Sequence, residues 1–264
     1  FYMHGNFFDI GINLTHESFE FDYKNVLEKA FANNINKICL TGTSILDSER
    51  CLEIAKEFKK NLITTVGIHP HNADSFDETT KFKILELAKS SLVRAIGETG
   101  LDFNRNFSSK KNQIKSFIDH IGIANKVNLP LFLHQRDAHK DFINCVSNEE
   151  ILTKGVVHCF TGSVSELYDY LDHDLYIGIT GWLCDPKRGK DLEQVIPKIP
   201  LEKLMIETDS PYLLPKNIKV KNRRNEPYLL PVIFNKICSL RNESNEVIQN
   251  QIYENSMNFF NLNE

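Results

Sequence analysis

Val93-Arg94-Ala95-Ile96-Gly97-Glu98 is a strand-sized apolar run that ends on a carboxylate, and three later stretches repeat its plan. Leu131-Phe132-Leu133-His134 and Gly155-Val156-Val157-His158 end on imidazoles, and Leu204-Met205-Ile206-Glu207-Thr208-Asp209 ends on a second acid. Near-continuous apolar strands belong to parallel sheets covered on both faces. Polar residues at the C-terminal ends of successive parallel strands are how a (β/α)8 barrel gathers a site from distant parts of its chain. Two histidines and two acids form a donor set suited to a hydrolytic metal centre.

Working outward from these four runs, eight strand-like segments alternate with helical patterns, at about 7–13, 37–42, 62–68, 93–98, 130–134, 155–160, 175–180 and 204–209. Amphipathic spacing such as Ile114, Phe117, Ile118 and Ile121 marks the intervening helices. Eight such units in 264 residues predict an α/β fold, a (β/α)8 TIM barrel of metal-dependent hydrolase type, as one domain over 1–264. An open doubly wound sheet is the alternative, but no G-x-G-x-x-G follows the first strand. Residues 211–227, rich in Pro, Lys, Arg and Asn, read as a loop, and helices are expected near 228–240 and 245–260. Residues 1–6 are expected to be a tag remnant or a disordered N-terminal extension.

Hydrophobic content of 41% and charged content of 25% suit a globular chain able to bury its own core. No apolar run is long enough for a membrane span, and no signal peptide is visible. Six scattered cysteines without a C-x-x-C pair fit a reduced, cytoplasmic setting. A net charge of −4 excludes a protein that coats nucleic acid by global positive charge. It leaves room for a local basic patch.

Taken alone, Glu98 is as well explained by a strand-end acid in solvent, and His134 or His158 by an ordinary core or loop histidine. Their shared topological place, with acids in the other two positions, favours the ligand reading. Asp209 can both touch a metal and accept a proton from an attacking water, although it could also cap the turn before Pro211; Glu207 is its rival on the same strand side. His69 and His71 bracket Pro70 and read equally as phosphate-binding or supporting groups and as loop polars. Asp137 is a candidate N-cap, with His139 on the helix it opens. Lys216, Lys219, Lys221, Arg223 and Arg224 could hold a phosphodiester backbone, against the plainer reading of a solvated face. Trp182 could stack on a base or simply pack.

Together, Phe8 to Thr15, Gly67-Ile68-His69-Pro70-His71, Ile96 to Asn106, His134 to His139, His158 to Gly162, Tyr176 to Trp182, Ile206 to Leu214 and Arg223 to Pro227 resemble the TatD family of metal-dependent deoxyribonucleases, from about residue 7 to 260. The resemblance implies a 3′→5′ exonuclease acting mainly on single-stranded DNA, in some members also RNA. By position it makes Glu98, His134 and His158 metal ligands and Asp209 a ligand or catalytic acid, with Glu98 and Asp209 the catalytic pair. Mg²⁺ or Mn²⁺ is expected in activity, with Zn²⁺ the other ion suited to two imidazoles. His69, His71, Arg224 and Trp182 are the expected substrate contacts. Many members carry Asp-x-His-x-His on the first strand, whereas Asp9-Ile10-Gly11-Ile12-Asn13 stands here. A second ion near Asp9 is therefore expected to be weakly held at most, and the variant marks a subfamily. The partner is DNA or RNA and no membrane, the chain a monomer or weak oligomer. Two rivals remain: an ester hydrolase such as a D-aminoacyl-tRNA deacylase, and a catalytically weak nucleic-acid-binding protein.

Overall fold

The computed structural model describes residues 5–221 and 223–263. Residues 1–4 of the expected extension lie outside that range, and Asn6 accepts a hydrogen bond from the Asn36 side chain. All eight strands are present: β1 (Phe7–Ile12), β2 (Ile35–Leu40), β3 (Leu62–Val66), β4 (Val93–Asp102), β5 (Leu131–Arg136), β6 (Gly155–Val157), β7 (Tyr176–Ile179) and β8 (Leu204–Ile206). They form one sheet in chain order. Its first and last strands are joined by hydrogen bonds from Asp209 N to Gly11 O (2.9 Å) and from Asn13 N to Ser210 O (2.8 Å). A parallel sheet whose ends meet, each strand followed by a helix, is the (β/α)8 barrel. The chain divides into two compact units: one of Leu40–His158 with Tyr168–Tyr176, the other of Cys159–Leu167 with the stretches up to Cys39 and from Ile177 onward.

In the first unit, helices α2 (Ile45–Glu57), α3 (Glu78–Leu87) and α4 (Lys110–Val127) each begin on a side-chain cap. Ser44, Asp77 and Ser109 accept the backbone N–H of Asp47, Thr80 and Asn112, satisfying donors the first turn would otherwise leave open. α4 buries Phe117, Ile121 and Ala124 on one stripe and stops at Asn128, whose left-handed φ of 53° ends it. Helix α5 (His139–Asn148) opens from Ala138 without a side-chain cap. Asp137 instead adopts φ 53° and accepts a hydrogen bond from Asn104 Nδ2 at 2.7 Å, so the expected N-cap is one residue out of place.

β4 carries the feature that matters most for function. Its register against β5 runs Gly97↔Phe132 and then Thr99↔Leu133, so Glu98 is an extra residue with no partner. Such a bulge re-aims the side chain it releases. Gly97 makes it possible: at φ 140°, a Cβ there would lie 2.2 Å from Phe132 O. The glycine before Glu98 thus serves close contact with β5.

The second unit packs helices α8 (Leu230–Cys238) and α9 (Asn245–Phe259) on β1 through Phe7 against Phe234 and Phe8 against Phe260, with ring centroids 5.2 and 5.3 Å apart. Helices α1 (Tyr23–Ala32), α6 (Val164–Asp172) and α7 (Lys190–Val195) complete the set. β8 ends at Ile206, short of the expected residue 209, and β6 ends at Val157, short of 160. Asp209 (φ 52°) and Cys159 (φ 48°) are left-handed, a conformation that cannot continue a strand. No helix among the described residues is long and apolar enough to cross a membrane.

Candidate metal centre

The first unit gathers Glu98 from the β4 bulge, His134 from β5, His158 just past β6 and His69 from the turn after β3. Three imidazoles converge on one carboxylate oxygen. Glu98 Oε1 lies 2.8 Å from His134 Nδ1, 2.8 Å from His158 Nε2 and 3.2 Å from His69 Nε2. The nitrogens of His134 and His158 are 3.4 Å apart. Ligands about 2.1 Å from a tetrahedral ion lie about 3.4 Å from one another; the His134–His158 separation matches such an edge, while the two contacts to Glu98 are at hydrogen-bond distance.

His69, Glu98 and His134 also offer atoms within 4.8 Å of one another. The hydrogen bonds separate the two sets. His69 Nδ1 accepts the His71 N–H at 3.0 Å, which places the ring proton on Nε2, and a protonated nitrogen does not coordinate. His134 is set the opposite way. Its Nε2 faces Asp102 Oδ2 at 3.3 Å; a proton held there would leave Nδ1 to face an ion, the carboxylate–histidine–metal arrangement. With its ring proton on Nε2, His69 presents an N–H donor toward Glu98 at 3.2 Å.

Asp102 is the functional residue the sequence reading passed over. Its Oδ2 faces His71 Nε2 at 2.8 Å as well as His134, and its Oδ1 accepts the N–H groups of Asn104 and Arg105, both at 3.0 Å. Fully buried Gln113 of α4 clamps its backbone through Asp102 N and O at 2.8 and 3.1 Å. The signal was available: Asp102 shares the strand parity of Glu98 at the end of the same run. Behind His69, the Ile68 N–H is donated to His120 Nε2 of α4 at 3.1 Å, and His120 Nδ1 donates to Ser116 O at 2.6 Å.

The charges follow from these contacts. Burial pushes the Glu98 carboxyl up, but His158, His69 and the hydrogen bonds from His134 and His158 outweigh it and hold it well below its ordinary range. Burial lowers His134, and the hydrogen bonds to Asp102 and Glu98 raise it above its usual value. Burial likewise raises Asp102, while His134, the Arg105 N–H and His71 bring it down. The cluster is centred on a carboxylate that its imidazole neighbours keep ionised.

The second unit holds the remaining acids. Asp209 Oδ1 accepts a hydrogen bond from Asn13 Nδ2 at 2.8 Å, so Asn13 supports the acid. Glu207 is fully buried and accepts the Cys159 N–H at 2.6 Å, which engages one oxygen of Asp209's rival. Asp9 is also fully buried, and Thr208 donates to it through both N–H (2.9 Å) and hydroxyl (2.6 Å). Burial pushes its carboxyl well above the ordinary range despite those bonds, with Glu207 adding to the rise. Both Asp9 oxygens are thus engaged by Thr208, and the second-ion position expected at Asp9 gains no support from these contacts.

The expected substrate contacts are placed as follows. His71 sits against Asp102. Arg224 is held by Asp22 (2.7 and 3.0 Å) and Glu226 (2.9 Å), with Phe19 under its guanidinium at 4.7 Å. Trp182 has Arg188 stacked at 4.1 Å and donates Nε1–H to Arg188 O at 3.1 Å. Lys216 and Arg188 share Asp185, each at 2.7 Å. A cleft of ≈ 740 Å³ has Arg188, Lys216, Lys219, Lys221 and Arg223 in its walls.

The family described as TatD related DNase matches residues 8–261. A "3'-5' ssDNA/RNA exonuclease TatD" of Escherichia fergusonii is 44% identical over 239 residues, covering 89% of this chain and 92% of that one. Another with the same name, from Erwinia amylovora, is 40% identical over 97% of this chain and 100% of its own length. The crystal structure of a hydrolase TatD family protein from Entamoeba histolytica superposes with a TM-score of 0.89 at 30% identity, covering 99% of this chain and 100% of that one.

Proposed function

The chain belongs to the TatD-related DNase family, and from that premise we propose that it is a metal-dependent 3′→5′ exonuclease of single-stranded DNA and RNA. The observation that carries the reading is the convergence of His134 and His158 on Glu98 Oε1, both at 2.8 Å. It supports a divalent ion held by Glu98, His134 and His158, with Mg²⁺ or Mn²⁺ serving activity and Zn²⁺ also suited to the imidazoles. When bound, that ion would polarise a phosphate oxygen and acidify a water.

The protein's own groups do the rest. Asp102 keeps the His134 proton on Nε2 and orients His71. His69 Nε2–H, aimed at the rim of the cluster, donates to a non-bridging phosphate oxygen, with His71 beside it. Asp209, held by Asn13, is the proposed acceptor of the attacking water's proton. The cations of the 740 Å³ cleft are proposed to bind the strand by its phosphates. Arg224, committed to Asp22 and Glu226, contributes by shaping that region, and the Arg188-covered Trp182 presents its remaining edge. Six free cysteines support a cytoplasmic setting, as one hydrolase domain, monomeric or weakly associating. The deacylase and weak-binder alternatives are not favoured by the named relatives.

The test follows chelator-stripped protein on 5′-labelled single-stranded DNA with Mg²⁺, Mn²⁺ or Zn²⁺ restored. A metal-dependent ladder shortening from the 3′ end is expected, and lost in Asp209→Asn. Intact DNA with every ion would overturn the nuclease reading and send the protein to D-aminoacyl-tRNA and simple esters.

A further inference from the structure

Beside Asp209, and wholly within the second unit, lies a cleft of ≈ 480 Å³ lined by His16, Ser18, Asp22, Pro211, Tyr212 and Arg224. That is within the range of about 300–1,000 Å³ typical of small-molecule sites. Tyr212 is 50% exposed, yet its backbone is pinned. Its N–H donates to Asp209 O at 3.0 Å, and the fully buried Asn225 donates to both Tyr212 O and Thr208 O, at 2.6 and 2.8 Å. An aromatic ring held toward solvent on a fixed backbone loses the burial that would normally stabilise it. Such placement points to a partner surface.

The opposite wall is as well fixed. His16 meets the Tyr212 ring edge-on, with centroids 5.4 Å apart. Its Nδ1 accepts the Ser18 N–H at 3.1 Å, which leaves the ring proton on Nε2 as a donor. The His16 N–H is in turn donated to Asn13 O at 3.0 Å, and Asn13 is the residue that holds Asp209. Both walls are therefore registered to the acid, Tyr212 directly and His16 through Asn13. The charge of Arg224 at the base of the cleft is offset by Asp22 and Glu226. The cleft consequently offers an aromatic face, one imidazole donor and a neutralised floor. This suits a planar, uncharged heteroaromatic group and not a phosphate.

We propose that Tyr212 and His16 form a nucleobase subsite, in which the base of a nucleotide flanking the scissile phosphodiester stacks on Tyr212 while His16 Nε2–H meets an acceptor on its edge. The proposal rests on the nuclease reading above. It predicts action without sequence preference, since every base has a π-face, and a preference for unpaired strands, since a paired base cannot enter the cleft.

The experiment compares kcat and KM for short single-stranded oligonucleotides that are intact or carry an abasic site at either nucleotide flanking the bond first cleaved. Wild type is expected to lose about ten- to a hundredfold in kcat/KM for one of the two abasic positions. In Tyr212→Leu that ratio should collapse toward one, chiefly through KM on the intact strand; Tyr212→Phe should preserve it, and His16→Ala should reduce it less. A merely structural Tyr212 would change activity on intact and abasic strands alike. Equal rates on all strands by the wild type, or an undiminished ratio in Tyr212→Leu, would overturn the subsite while leaving the nuclease intact. Failure of the wild type to cleave any strand would instead overturn the nuclease reading itself.

Discussion

Glu98 and Asp9 are both buried carboxylates carried by strands of one parallel sheet, and their neighbours shift them in opposite directions. Glu98 is released by a β-bulge into a ring of imidazoles, and hydrogen-bonded and charged nitrogen outweighs the cost of burial. Asp9 lies in β1 and meets one hydroxyl, backbone N–H groups and the acid Glu207, so burial outweighs its hydrogen bonds and pushes its carboxyl up. The lesson is that residue type and strand position nominate a ligand, whereas the sum of desolvation and specific partners decides whether it is available to a cation.

The contrast is broken or sharpened most forcefully at Glu98. Glu98→Gln removes the ionised oxygen on which the imidazoles converge, and a loss of several kcal/mol of transition-state stabilisation corresponds to at least about a thousandfold in kcat/KM. Metal content by elemental analysis should fall with it. A fully metallated, active variant would dissolve the distinction between the two acids.

Next comes Asp102→Asn, which leaves the ligands in place but weakens the orientation of His134 and His71. A ten- to hundredfold loss in metal affinity is expected, of the order found for supports of metal-bound histidines. Competition with a chromogenic chelator measures it, and unchanged affinity would return Asp102 to a purely structural role.

The α4 support behind the cluster has a signature in stability. His120 is buried with both nitrogens engaged, and burial pushes its pKa down to about 4 from an unfolded value near 6.5. Between those values the unfolded chain binds the proton and the native chain does not. Stability from this group is therefore complete above about pH 6.5 and falls as pH drops toward 4, by up to roughly 3 kcal/mol. Urea unfolding at pH 7 and pH 4.5 should show a steeper loss in wild type than in His120→Gln; equal slopes would exclude His120 as the source.

The smallest effect is expected at Asp9. If its carboxyl is neutral and committed to Thr208, Asp9→Asn keeps an acceptor for those donors. It should cost on the order of 1 kcal/mol of stability without lowering metal content. A loss of metal in this variant would place Asp9 among the ligands and erase the contrast with Glu98.

Much of this was legible in the chain. The eight apolar runs foretold the barrel, and the four that end at Glu98, His134, His158 and Asp209 nominated the donor set, because a period of burial along a strand and the chemistry of its last residue are local properties. Three things were decided only by tertiary structure. The bulge that aims Glu98 depends on its register against β5, which no single segment encodes. The proton positions of His69 and His134 depend on partners at His71 and Asp102, brought close by the packing of neighbouring turns. The roles of Arg224, Asp9 and Tyr212 depend on whether a charge is met, a carboxyl desolvated or a ring left open to solvent. Those are energies of surroundings, and surroundings exist only once the chain has folded.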